Sequence, residues 1–226
     1  MKLSIIIPVY NEDSTILEII SRVKKVKLSQ TTKQIIVVND GSTDQTKNKL
    51  KSIKNIQLIN LATNQGKGAA IKAGLKLANG NFVLIQDADL EYDPQDIKDL
   101  LKPVLDKNAE VVYGSRFLGP HKNMLFWHLM GNKFLSFVTN ILFNTTLSDM
   151  EVCYKLIPTN LIKSFNLSQK RFGFEPEVTA KILKTNVRIY EVPISYSGRE
   201  FHEGKKITWK DGLQALYLII KYRLVN

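Results

Sequence analysis

The 226 residues suffice for one compact domain, or one with an appendage, and their 44% hydrophobic and 23% charged make-up is that of an ordinary globular protein. A net charge of +11 points to an anionic partner (nucleic acid, a phosphate-bearing substrate or the negative face of a cytoplasmic leaflet) unless it reflects only a lysine-rich proteome. The lone cysteine, Cys153, excludes an internal disulfide and any CxxC zinc site, which fits a reducing cytoplasm.

The chain opens on Met1-Lys2-Leu3-Ser4-Ile5-Ile6-Ile7-Pro8, an apolar run too short for the core of a signal peptide and followed at once by Asn11-Glu12-Asp13. Nowhere do roughly 18 apolar residues follow one another, so no membrane span is expected and the chain reads as soluble or peripheral. Leu3 to Val9 is predicted to be a buried strand rich in β-branched residues. A helix follows with Ile16, Leu17, Ile19, Ile20 and Val23 inward, capped by Asp13 or Ser14. Further strands are predicted at Gln34–Val38, Ile56–Leu61, Asn81–Ile85 and Ala109–Tyr113. A lysine-rich helix and helices at Ala69–Ala78 and Pro94–Leu105 alternate with them. Such alternation means βαβ units, right-handed crossovers and a mostly parallel sheet flanked by helices, an α/β fold.

In sheets of this kind the ligand lies beyond the carboxyl ends of the strands. Four polar clusters stand there: Tyr10-Asn11-Glu12, Asn39-Asp40-Gly41-Ser42, Asn64 to Lys67, and Asp87-Ala88-Asp89. Neither GxGxxG after the first strand nor GxxxxGK[ST] occurs, which argues against a dinucleotide fold and a P-loop. Gly66-Lys67-Gly68, at a helix start, could offer N–H groups and an ammonium to a phosphate, or could simply form a tight turn. Asp40 could accept from a base N–H and Glu12 could bind ribose hydroxyls, or both could cap helices. Four acids fall in the seven residues from Asp87 to Asp93. Asp87 and Asp89 are two apart and leave an extended chain on the same face, which suits a divalent ion held by one or two carboxylates. Asp93-Pro94 reads as a helix cap.

Met124 to Phe143 is apolar and aromatic without a clean polar face, as for a helix half-buried in protein and half at a membrane interface, or alternatively a core helix. His121 and His128 lack metal-ligand spacing and read as structural or interfacial. Ser148 to Lys155 reads as a strand after a turn, Pro176 to Lys184 as a helix and Val187 to Val192 as a strand. A cationic loop, Ser197 to Lys206, precedes a closing helix from Trp209 to Tyr222.

The ordered set Ile5-Ile6-Ile7-Pro8-Val9-Tyr10-Asn11-Glu12, Val38-Asn39-Asp40-Gly41-Ser42-Thr43-Asp44, Asn64-Gln65-Gly66-Lys67-Gly68-Ala69 and Asp87-Ala88-Asp89-Leu90 resembles the signatures of family-2 inverting glycosyltransferases, most of all the dolichyl- and polyprenyl-phosphate sugar transferases. The likeness continues through Gly114-Ser115-Arg116, Asp149 to Lys155, Phe172-Gly173-Phe174-Glu175 and Pro193 to Arg199, so it covers nearly the whole chain. The resemblance implies one GT-A domain with a nucleotide-sugar half at 1–114 and an acceptor-side half, carrying amphipathic helices, at 115–226. It also implies a Mg2+ or Mn2+ ion bridging the donor diphosphate to Asp87 and Asp89, with Glu91 a third candidate ligand at a position where relatives often carry Gln or another polar residue. Pro8, Tyr10, Glu12 and Asp40 fall to base and ribose binding. Relatives with membrane anchors continue past Asn226, so the chain is expected to match their catalytic domain alone.

A hydroxyl acceptor needs a positioned base, whereas a phosphate monoester, with a second pKa near ~6, arrives ionised and needs cations. Arg116, Arg199 and Lys205 suit that work, although Arg199 could instead pair with Glu200 or Glu203. Asp149 is the candidate base for the alternative acceptor, a hydroxyl of a cell-envelope glycan. The expected activity is hexose transfer from a GDP-mannose- or UDP-glucose-type donor to a polyprenyl or dolichyl phosphate at the inner face of the membrane. An alternative of another class, a non-catalytic basic protein binding nucleic acid, predicts salt-sensitive DNA or RNA binding, but no recognition helix is apparent.

Overall fold

Nine short strands and eight α-helices alternate along the computed structural model, which describes residues 1–199 and 208–225. The N-terminal βαβ run consists of β1 (Lys2–Val9), α1 (Ile16–Lys25), β2 (Thr32–Asn39), α2 (Thr46–Lys51), β3 (Gln57–Asn60), α3 (Lys67–Leu77) and β4 (Phe82–Ile85). A 3-10 turn (Pro94–Asp96) leads into α4 (Ile97–Lys107), β5 (Val111–Ser115), β6 (His121–Lys122) and α5 (Phe126–Phe143). The chain closes with β7 (Lys155–Pro158), α6 (Thr159–Ser164), α7 (Phe174–Lys184), β8 (Ile189–Pro193), β9 (Tyr196–Ser197) and α8 (Trp209–Leu224).

The main sheet has the order β3-β2-β1-β4-β7-β5-β8, and every neighbouring pair is parallel except those of β7, which runs antiparallel to both β4 and β5. The mostly parallel α/β architecture read from the sequence is therefore present. The interior strand β1, between β2 and β4, is buried from Leu3 to Val9, which is why that segment is a continuous apolar run rather than an alternating one. Ile16, Ile19, Ile20 and Val23 bury one face of α1 against the same core. β6 and β9 form a small separate parallel pair beside the active-site edge.

Three local expectations change. Neither Asp13 nor Ser14 caps α1. Thr15 holds the cap position without a side-chain bond, and Ile16 N–H donates to the Glu12 carbonyl at 3.0 Å. The strand expected over Ser148–Lys155 begins only at Lys155, because the preceding residues give their polar groups to side chains from elsewhere. The core-helix reading of the Met124–Phe143 segment fails. Only Leu135, Ser136 and Thr139 of α5 are buried, while Phe126, Trp127, Met130, Phe134, Phe137 and Ile141 are exposed. The Asp93 cap stands as expected: its side chain accepts from Gln95 N–H at 3.0 Å, with Pro94 at the first helical position.

The loop before α7 and the closing helix are tied together at one buried carboxylate. Glu177 accepts from Ser168 N–H (2.8 Å), Gln169 N–H (2.8 Å), the Lys181 ammonium (2.9 Å) and the Tyr222 hydroxyl (3.0 Å). Burial works to raise its pKa, but the Gln169 N–H, Lys181 and the Ser168 N–H outweigh it and hold the group below the ordinary glutamate value. A carboxyl depressed in the folded state stabilises the fold above its unfolded pKa, and the benefit disappears as pH falls through the folded value. Glu177→Gln is expected to lower unfolding free energy at pH 7 by about 2–4 kcal/mol. The deficit relative to wild type should shrink on acidification below about pH 4. Urea titrations of both proteins at pH 7 and pH 3.5 check this, and a pH-independent gap contradicts it.

Candidate active site

The loops after β1, β2 and β3 are knitted into one wall. Ser42 Oγ accepts from Asn11 N–H (3.0 Å), Asn11 Oδ1 accepts from Thr43 N–H (2.9 Å), and Thr46 Oγ1 accepts from Glu12 N–H (3.0 Å). Asp40 is buried, and both of its oxygens are occupied by the chain: Gln65 N–H donates at 2.9 Å and Gly66 N–H at 2.7 Å. Asp40, the residue expected to read a base, thus also shapes the loop ahead of α3. That loop depends on Gly66, at φ +98°, where a Cβ would stand 2.5 Å from the Lys170 carbonyl. Pro8 is buried at the end of β1, and Tyr10 follows it half-buried at the rim.

Lys67, the first residue of α3, reaches Asp87 at 2.8 Å and Glu175, at the start of α7, at 3.0 Å. Burial alone would lower its pKa, but Asp87, Cys153 and Glu175 raise it well above the usual lysine value, so the ammonium is permanent. Asp89 contacts Arg199 at 3.2 Å and accepts from Glu91 N–H at 3.1 Å. Burial, then repulsion from Asp87 and Glu91, push Asp89 up to about 7 despite the Arg199 charge.

Glu91 does not join the other two. Leu90 between them has φ +65°, a left-handed conformation uncommon for this residue, which breaks the alternation of an extended chain. The Glu91 carboxylate instead accepts from Arg199 N–H (2.9 Å) and the Tyr196 hydroxyl (3.1 Å). Among the described residues no three His, Cys, Asp or Glu side chains are grouped to hold an ion, so the expectation of three protein ligands is corrected. A pair, Asp87 and Asp89, is still what a hard divalent ion needs when substrate phosphate fills the rest of its shell. The local charges agree: among the described residues the ion pairs of Glu12, Asp87, Asp89, Glu91 and Glu175 are made with Lys67 and Arg199. The residues present therefore fit Mg2+ or Mn2+.

Arg199 stands with the acidic cluster rather than beside Arg116. Its guanidinium donates to Glu12 at 3.1 and 3.2 Å as well as to Asp89. Glu200 and Glu203, considered from sequence, lie outside the described residues. Lys205 lies outside the described residues. Arg116 and Asp149 form a separate pair, with Nε to Oδ2 and a terminal nitrogen to Oδ1 both at 2.7 Å, and Arg116 N–H adds a third bond at 3.0 Å. Asp149 is 0% exposed, so its two oxygens are closed off by one arginine. Beside Arg116 a small cleft, lined also by Tyr196, His128, Leu129 and Asn132, leads to α5. Sequence reasoning set His128 aside and gave no role to Glu175 or Tyr196. Both were legible only as members of motifs, Glu175 in Phe-Gly-Phe-Glu and Tyr196 in the Pro193–Arg199 stretch, with no role attached.

The family model described as Glycosyl transferase family 2 matches residues 4–165. A dodecaprenyl-phosphate galacturonate synthase of Rhizobium johnstonii is 26% identical over 88% of this chain and 60% of its own length. A dolichyl-phosphate beta-glucosyltransferase of Trichomonas vaginalis is 32% identical over 86% of this chain and 65% of its own length. The chain thus spans under two thirds of both relatives. Glucosyl-3-phosphoglycerate synthase from Mycobacterium tuberculosis, crystallised with Mn2+, UDP and glucosyl-3-phosphoglycerate, superposes with a TM-score of 0.74 over 100% of this chain and 81% of its own, at 15% identity. That likeness shows the fold. A non-catalytic nucleic-acid binder is set aside by these matches, and the chain belongs to glycosyl transferase family 2: it is a glycosyltransferase of GT-A fold.

Proposed function

We propose that the protein transfers a hexose from a nucleotide-sugar to a polyprenyl-type lipid phosphate, with inversion, using Mg2+ or Mn2+. The observation that carries this reading is the two-sided arrangement of charge. An acid-rich edge suited to a metal diphosphate stands on one side, and a fixed arginine beside an apolar helix stands on the other. The names of the two curated relatives, both acting on lipid phosphates, support it.

Asp87 and Asp89 would hold the ion, which would supply positive charge to stabilise the departing diphosphate. Lys67 presents a permanent positive charge at the start of α3, where helix N–H groups also favour phosphate. Arg199, beside Asp89, carries forked donors suited to the same diphosphate. On the other side Arg116 attracts the acceptor phosphate. No side chain has to remove a proton, because that phosphate is already ionised. The locked state of Asp149 favours this acceptor over a hydroxyl, since a base whose oxygens are both held by arginine is poorly placed to accept a proton.

Among the described residues no helix is long and apolar enough to cross a membrane. The paired helices α5 and α8 instead carry an outward stripe: Phe126, Trp127, Phe134, Phe137 and Ile141 on one, and Trp209, Leu213, Tyr217, Ile220 and Leu224 on the other. Spacings of three and four residues put each set on one helix face. Trp127 is 81% and Trp209 72% exposed, with Lys133, Lys210, Lys221 and Arg223 on the same helices. Aromatic residues with flanking cations suit the headgroup region of an anionic leaflet, and we assign this face to peripheral attachment at the inner membrane surface.

Asp89→Asn should leave thermal unfolding near wild type and reduce transfer by about a thousandfold or more, the several kcal/mol expected of a lost metal charge. Product formation from nucleotide-sugar and polyprenyl phosphate is the measurement, and wild-type turnover removes the metal assignment. Trp127→Glu combined with Tyr217→Glu should abolish co-sedimentation with phosphatidylglycerol vesicles while leaving nucleotide-sugar binding intact. Unaltered sedimentation contradicts the membrane face.

A further inference from the structure

Ser148–Tyr154, between α5 and β7, is a loop whose polar groups are almost all taken by the protein. Ser148 and Asp149 N–H donate to Glu191 (2.9 and 3.2 Å), and Met150 N–H donates to Ser136 Oγ (3.0 Å). The buried Lys155 ammonium donates to the Met150 carbonyl at 2.8 Å and also to that of Val152. Arg116 closes the Asp149 carboxylate.

Glu151 is different. The residue is only part-exposed, and its Oε1 lies out of solvent with no hydrogen-bond partner among the described residues. An unmet buried oxygen is costly enough to need a reason. Its surroundings supply one. Glu175, Lys155, Arg116 and Asp149 are the charges that act on it most strongly. Glu175 belongs to the donor-side chain Glu175–Lys67–Asp87, and Arg116 with Asp149 forms the acceptor-side pair. Glu151 therefore feels charge both from the groups assigned to the leaving diphosphate and from the group assigned to the incoming phosphate. During an in-line transfer the sugar lies between those two phosphates.

We propose that Glu151 hydrogen-bonds a hydroxyl of the transferred sugar and helps select which sugar is accepted. The assignment deepens the donor and acceptor reading above and rests on it. Burial, then the Glu175 charge, push the Glu151 carboxyl up to about 8, so at neutral pH it is mainly protonated and offers one donor and one acceptor, complementary to a hydroxyl. It is a binding group rather than a base, since an ionised acceptor brings no proton to remove.

The test titrates UDP, GDP, UDP-glucose and GDP-mannose, each with Mn2+, into the full chain as wild type, Glu151→Met and Glu151→Gln, with thermal unfolding as the control for folding. Met matches the length of Glu but cannot hydrogen-bond a hydroxyl effectively. It should weaken the nucleotide-sugar that wild type binds by about ten- to hundredfold while leaving the matching nucleoside diphosphate within about twofold. Gln retains a donor and an acceptor and should stay close to wild type in both affinity and turnover. Equal effects of Glu151→Met on sugar-bearing and sugar-free nucleotides overturn the assignment. So does a Glu151→Gln protein that binds normally but has lost turnover, because that marks a proton acceptor. If wild type binds no nucleotide-sugar at all, the donor reading fails first and this assignment falls with it.

Discussion

A surplus of negative charge at the carboxyl ends of β1 and β4 is the constraint to which the rest of the site responds. Among the described residues Glu12, Asp87, Asp89, Glu91 and Glu175 converge there, ion-paired with Lys67 and Arg199. Carboxylates brought this close and partly desolvated raise one another's cost of ionisation, and Asp89 shows it. Lys67 bridges Asp87 to Glu175, while Arg199 bridges Glu12 to Asp89 and leans toward Glu91 at 3.9 Å. Among the described residues these ion pairs leave an excess of carboxylates, which is the condition under which a divalent ion arriving with a diphosphate is welcome.

Because both cations find partners far away in sequence, neutralising the surplus also joins the two halves of the chain. Lys67 connects α3 to α7 through Glu175. Arg199 and Tyr196 connect the segment after β8 to the acidic turn after β4, and Ser197 N–H donates to the Glu91 carbonyl at 2.9 Å. That segment leads toward α8, which packs on α5 and α7. Tyr196 also lies under the Arg116 guanidinium, 5.4 Å from ring centroid to cation, so the acidic edge and Arg116 share one aromatic support.

Much of this was legible in the sequence, and the boundary is physical. Strands such as β1 announce themselves because burial on both faces demands uninterrupted apolar residues, and the four polar clusters follow from where a parallel sheet leaves its loops. Asp87 and Asp89 were legible from their spacing. The fate of Glu91 was not, since it depends on a left-handed Leu90 and on partners more than a hundred residues away. Asp40 and Arg199 were found as polar residues near the site, but their actual partners are set by tertiary contacts that no local pattern encodes. The exposed faces of α5 and α8 were half legible. Composition gave their apolar character, and packing decided which side turns outward.

The central claim is that the acid pair and its two cations make a site for a metal-borne nucleotide diphosphate. Calorimetric titration of UDP-glucose and GDP-mannose, in Mn2+ and again in EDTA, tests it most directly. The account predicts that at least one donor binds in Mn2+ and that its affinity falls by about two orders of magnitude or more in EDTA, when five carboxylates confront the bare diphosphate. Equal affinity with and without the metal, or binding of neither donor, contradicts it.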